Sequence, residues 1–219
     1  MGTHPVFLCL AGRRCVVLGG DARAAAKALA CRRAGAAVVV VAAEVVPELG
    51  AAIAAGRVVH VARDYQPGDL AGAFVCYASL RDPQTVERVR AEASRSGTLL
   101  NVIDVPEACD FFSPAVVERG ALQLAIGTGG ESPALAAHLR ERLEAEIGAE
   151  FGTLVEMLGE LRRRLAGRAD RQAILRQLAG SELPALLRRG DTAAIDRLLD
   201  AAGAGCSLAE LGIAPEPRP

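Results

Sequence analysis

No tryptophan occurs in the chain, aromatic residues make up only 3% of it, and no two of its cysteines form a C-x-x-C pair. So few flat rings argue against the stacking surfaces on which single-stranded nucleic acids lie. The formal net charge of −1 leaves no broad basic field for non-specific nucleic-acid binding. Lys27 is the only lysine among 25 basic residues, an arginine excess read as codon bias. Cys9, Cys15, Cys31, Cys76, Cys109 and Cys206 are scattered. Cys15, Cys31 and Cys76 sit in apolar patterns as small buried hydrophobes, which points to a reducing compartment rather than a disulfide framework. His4, His60 and His138 show no metal-ligand spacing, so no metal ligands are expected. No basic region followed by a long apolar stretch opens the chain, and no apolar run reaches the roughly 18 residues of a membrane span. Neither a signal peptide nor a membrane helix is expected, and the expected location is the cytoplasm.

What is present is a chain of 219 residues, 51% apolar, enough for one domain and a helical appendage or for two small domains. Its first half alternates buried strands with helices. Strands are expected at 15–18, 36–44, 57–62, 72–79 and 98–104, and helices at 22–34, near 46–54 and at 83–94. The run "AAVVVVAAE" is too apolar to alternate, as in parallel strands covered on both faces. This spacing implies an α/β, Rossmann-like doubly wound parallel sheet that binds ligands at its strand carboxyl ends. After Asp104 the pattern changes to two strands around a turn at 118–120, then a helix from Pro133 to about Ile147, capped by Ser132. From Gly148 onward the chain reads as helical, with breaks at Gly167, Gly180, Pro184 and Gly190, and the terminal "APEPRP" is expected to fray.

Three short stretches carry chemistry. Gly19-x-Asp21-x-x-Ala24 fits the dinucleotide turn G-x-G-x-x-G/A except at its middle glycine, where the backbone should approach a pyrophosphate. Asp21 has a second reading as the N-cap of the helix that follows, and Arg23 offsets part of its charge. The turn by itself leaves NAD binding open. The ribose handle expected about 20 residues on has Glu44 as its nearest candidate, after Ala42 and Ala43, and Glu44 also reads as a solvated helix-start residue. Asp104 follows the fifth strand at its carboxyl end, where open sheets hold ligands, and reads otherwise as a turn former before Val105-Pro106. Thr128, Gly129, Gly130 and Ser132 stand at a helix start, which favours anions such as substrate carboxylates and is otherwise a capped turn.

Together "HPVFLCLAGRRCVVLGG", Ala24, Lys27, "AGA" at 34–36 and "NVIDVPEACDFFSPAVVERGALQLAIGTGGESPALAAHLRERLE" (101–144) resemble the precorrin-2 dehydrogenase/sirohydrochlorin ferrochelatase family, which includes the N-terminal half of siroheme synthases. The resemblance covers about residues 4–147. It implies a Rossmann domain at 1–110, a small α+β dimerisation region at 111–149 and a helical C-terminal region at 150–219. It implies an intertwined homodimer that oxidises precorrin-2 to sirohydrochlorin with NAD, and in some members also inserts iron to give siroheme. By the match, Asp104 is the catalytic acid, a general base or guide for proton loss from the macrocycle. Gly19, Gly20, Asp21, Ala22, Arg23, Ala43, Glu44 and Ser79 fall on the cofactor side. Asn101, Ser113, Pro114, Thr128, Gly129, Gly130 and Ser132 fall on the tetrapyrrole side.

Two departures from the family's pattern lie on the cofactor side. Gly19-Gly20-Asp21 replaces three glycines, and "ASLRD" (78–82) replaces Ala-Thr-Asp-Asp. Dehydrogenation is the expected activity, with ferrous or cobaltous ion as a further substrate if metal is inserted. A chelatase without the redox step is an alternative, and so is a non-catalytic sensor of nucleotide or tetrapyrrole. Leu135, Leu139 and Leu143 form one stripe at i, i+4, i+8, which places the expected dimer contact mainly in 111–150.

Overall fold

The structure, a computed structural model, describes residues 2–213; the tail "APEPRP" lies outside the described residues. The chain forms two compact units that meet in sequence between Ser113 and Pro114.

The first unit carries β1 (Arg14–Leu18), α1 (Ala22–Arg33), β2 (Ala37–Val41), α2 (Pro47–Ala54), β3 (Val59–Val61), β4 (Val75–Ala78), α3 (Pro83–Ser96) and β5 (Leu99–Val102). The strands form one five-stranded sheet in the order β3-β2-β1-β4-β5, parallel throughout. β1 has β2 on one side and β4 on the other, so the chain reverses its direction of travel across the sheet there and opens a crevice at the carboxyl ends. The apolar strand runs have a direct cause. Cys15 and Val17 of β1 pack with Ala24, Ala28 and Cys31 of α1, whereas Val16 and Leu18 pack with Val86, Val89 and Ala93 of α3. With helices on both faces, β1 is buried at every position from Cys15 to Leu18, and alternation disappears there.

The five expected strands of the sheet all exist; β1 starts one residue earlier than expected and the other four are shorter. β2 stops at Val41 because the following loop turns back onto the glycine turn, where the Val46 N–H donates to the Gly20 carbonyl at 2.8 Å. β4 begins at Val75 because Gly72, at φ +70°, and an Ala73 N–H bonded to the Leu70 carbonyl make a turn before it. The segment between β3 and β4 is held by buried Glu92 of α3, which accepts from the Tyr65 hydroxyl at 2.5 Å and from the N–H groups of Gly68 and Leu70 at 3.1 and 2.8 Å.

The second unit opens with an antiparallel pair, β6 (Ala115–Arg119) and β7 (Leu122–Ile126), around the expected turn. α4 (Pro133–Glu146) follows, with Ser132 as its N-cap, accepting from the Leu135 N–H. Arg119 closes the other end of α4, donating to the carbonyls of Glu144 and Ile147 at 2.9 and 2.7 Å. The remainder is α5 (Glu150–Arg164), α6 (Arg171–Ala179), α7 (Leu183–Arg189) and α8 (Thr192–Ala201). They enclose an apolar core of their own around Met157, Leu161, Leu178 and Ile195. Pro184 is not a break. It sits in the first turn of α7, where its missing N–H removes no helical bond. No helix among the described residues is long and apolar enough to cross a membrane.

Candidate functional site

The glycine turn ends β1 at the centre of the sheet. Gly19 adopts φ +109°, and a Cβ there would fall 2.7 Å from the Ser79 carbonyl oxygen. At Gly20 a Cβ would fall 1.8 Å from the carbonyl oxygen of Glu44. Both glycines are thus required by the packing of the β1, β2 and β4 tips against one another.

Asp21 is the N-cap of α1, its Oδ1 accepting from the Ala24 N–H at 2.9 Å. Its Oδ2 accepts from the Ser79 hydroxyl at 2.7 Å. Partial burial works to raise its pKa, but the Ala24 N–H, the Ser79 hydroxyl and the Arg23 guanidinium together hold it below the usual carboxylate value. Asp21 is therefore an anion set against the helix terminus where a phosphate would otherwise draw on the same donors.

Arg23, in the first turn of α1, joins the cofactor-side and catalytic candidates. Its guanidinium donates to Asp104 and to the Ser79 hydroxyl and lies 3.6 Å from Asp21. Asp104 lies just after β5, exposed, and is the one non-glycine residue among the described residues with positive φ, +65°. Aspartate tolerates this left-handed region better than most side chains. Asp104 stands two residues beyond the carboxyl end of β5, its carboxylate joined to Arg23 at the start of α1.

The tips of β2 and β4 border a cavity of about 590 Å³. Gly19, Gly20, Ala43, Glu44 and Ser79, expected on the cofactor side, are among the residues that line it. Asp64, Tyr65, Thr85 and Arg88 line it as well. Sequence reading missed these four because Asp64 and Tyr65 reach the crevice on the segment after β3 that Glu92 holds, and Thr85 and Arg88 reach it through the packing of α3. Ala22 is exposed in the first turn of α1. A dinucleotide fits the crevice between the β2 and β4 tips. At the α1 terminus the fit is opposed by Asp21 and assisted by Arg23.

The tetrapyrrole-side candidates fall into both units. In the first, Asn101 is buried on β5, its side-chain amide donating to the Phe111 carbonyl at 2.8 Å, which fastens the segment after β5. Ser113 is exposed, and its hydroxyl partners Tyr77. In the second, Pro114 precedes β6, and Thr128 to Ser132 form the turn into α4. Thr128 Oγ1 accepts from the Ser132 N–H at 3.2 Å, and Gly129 and Gly130 have φ of +63° and +87°. Of the histidines, His60 pairs its Nε2 with the Ala42 carbonyl at 2.9 Å.

Comparison with known proteins adds to this geometry. Residues 6–115 match the family described as "Putative NAD(P)-binding", and residues 119–146 match "Sirohaem biosynthesis protein central". The siroheme synthase of Methylobacillus flagellatus is 38% identical over 162 residues, 74% of this chain and 35% of that protein. The siroheme synthase of Azotobacter vinelandii is 32% identical over 212 residues, 95% of this chain and 46% of that protein. The chain spans less than half the length of these curated relatives. The solved structure of "SirC, precorrin-2 dehydrogenase" shares its fold at a TM-score of 0.75 and 24% identity, covering 92% of this chain and 99% of that one. The resemblance read from residues 4–147 holds: the chain belongs to the NAD(P)-binding family that, continued by the sirohaem-biosynthesis central segment, forms the matching region of siroheme synthases.

Proposed function

We propose that this chain oxidises precorrin-2 to sirohydrochlorin in siroheme biosynthesis, with NAD as the oxidant. The observation that carries the reading is Asp104, just beyond the carboxyl end of β5 on a left-handed backbone and tied to the cofactor-side residues through Arg23. NAD, when bound, accepts the hydride. Asp104 takes the accompanying proton from the macrocycle, so that one hydride and one proton leave together. Arg23 holds the Asp104 carboxylate in place before substrate arrives, and the Ser79 hydroxyl fixes the Asp21 carboxylate beside it. Gly19, Gly20, Ala43 and Glu44 supply the close backbone and the ribose end of the cofactor crevice. Thr128, Gly129, Gly130 and Ser132, at the start of α4, present donors to the substrate's carboxylates. The active form is a homodimer paired through 111–150, where Leu135 is left 49% exposed on α4.

Incubating the protein with precorrin-2 and NAD should produce sirohydrochlorin absorbance and NADH. Their absence would defeat the dehydrogenase reading. Asp21 favours a second reading, a chelatase that has lost the redox step, because a carboxylate occupies the helix terminus that a pyrophosphate would use. That reading requires insertion of ferrous or cobaltous ion into sirohydrochlorin without any NAD-dependent step.

A further inference from the structure

One flank of α1 holds a cation that the proposed chemistry leaves without a task. Lys27 is half-buried beside the core-facing Ala24, Ala28 and Cys31. Its ammonium lies 5.6 Å from the centre of the Tyr77 ring, a cation–π contact. Among the described residues it has no hydrogen-bonded acceptor and no ion pair. Burial pushes its pKa below the usual lysine value, against the electrostatic pull of Cys31. A half-buried ammonium with three donors and no oxygen partner is costly to keep unless something else supplies the acceptor.

The surroundings specify that acceptor. Arg23 lies four residues earlier, on the same side of the helix, and is engaged by Asp104 and Asp21. One guanidinium thus serves two carboxylates there, while the Lys27 ammonium, a turn further along, has no oxygen at hydrogen-bond or ion-pair distance among the described residues. The Phe111 ring meets Tyr77 edge-on, centroids 5.4 Å apart, so the ammonium borders a pair of apolar rings. Such a flank suits a flat ligand bearing carboxylates at its rim.

We propose that Lys27 anchors a peripheral carboxylate of the tetrapyrrole, one helical turn along α1 from the Arg23–Asp104 pair. This rests on the functional reading given above, and it assigns a substrate contact to a residue inside the helix rather than at its terminus. A charge-assisted bond to a partly buried lysine is worth more than a neutral one and selects acids over their esters.

The test compares fluorescence titrations of uroporphyrin, a polycarboxylate porphyrin, and of its methyl ester into the wild type, Lys27→Met and Lys27→Arg. Lys27→Met should weaken uroporphyrin binding about tenfold or more and leave the ester unchanged; Lys27→Arg should restore most of the loss. Because Lys27 is the sole lysine, protection from acetylation in the unmutated protein gives a second measurement by mass spectrometry. Uroporphyrin should protect Lys27, and the ester should not. Equal uroporphyrin affinities in wild type and Lys27→Met, equal losses for acid and ester, or absence of protection would overturn the anchor while leaving the functional reading in place. A wild type that binds neither uroporphyrin nor sirohydrochlorin would overturn both.

Discussion

The Arg23 guanidinium on α1 donates to the Asp104 carboxylate beyond β5, joining residues 81 positions apart in sequence. Both side chains face solvent, so the pair contributes little to stability, and its consequence is positional. It sets the proposed base beside the mouth of the cofactor crevice.

Asp104→Asn should therefore abolish turnover without unfolding the protein. Loss of a general base lowers rates by about 10²–10⁴-fold. Asparagine also accepts the left-handed backbone at this position, so the thermal midpoint should stay close to that of the wild type. Unchanged dehydrogenation and metal insertion in the variant would remove Asp104 from the mechanism.

Asp21→Gly should strengthen NAD binding. The substitution removes an ionised carboxylate from the α1 terminus and frees the Ala24 N–H, while an N-cap exchanged for glycine costs only a few tenths of a kcal/mol. The expected gain is about 1 kcal/mol, roughly fivefold in affinity, measured by calorimetry. An unchanged dissociation constant would mean that the pyrophosphate lies away from Asp21.

At the neighbouring glycine the expectation is opposite. In Gly20→Ala the new methyl would meet the Glu44 carbonyl at 1.8 Å, and the loop after β2 must move. Overpacking of this kind costs about 1–3 kcal/mol. Thermal unfolding should show that loss even without nucleotide, and unaltered stability would indicate a loop that yields freely.

Tyr65→Phe should destabilise the first unit by about 1–3 kcal/mol, because Glu92 is buried and loses one of its three donors. The alkaline limb adds a signature. Burial and then Glu92 raise the Tyr65 pKa, so the folded state keeps the phenol neutral while the unfolded chain ionises above about pH 10. Wild-type stability should fall as pH rises past that value. The fall should be shallower in Tyr65→Phe, with a remainder from Tyr77, which burial pushes up to about 12. Parallel pH profiles for the two proteins would contradict this.

Leu135→Asp should shift sedimentation toward the monomer at micromolar concentration, since Leu135 is the exposed member of the α4 leucine stripe. A dimer of unchanged stability would place the subunit contact elsewhere than 111–150.

Local patterning determined the succession of strands and helices, the N-caps at Asp21 and Ser132 and the hairpin turn at Gly120, because each depends on residues only a few positions apart. The resemblance in the sequence also singled out Asp104. Strand ends were less legible. Whether Ala42 to Glu44 continued β2 depended on Gly20, some twenty positions earlier, whose carbonyl and missing side chain draw the loop inward. Three-dimensional packing alone decided that Asp21, Arg23, Ser79 and Asp104 share one polar cluster. It alone decided that Tyr65 and Arg88 reach the crevice and that Lys27 lies over Tyr77 without an oxygen partner. The physical reason is the parallel sheet: it gathers the carboxyl ends of strands distant in sequence at one edge, and no sequence periodicity records which side chains will meet there.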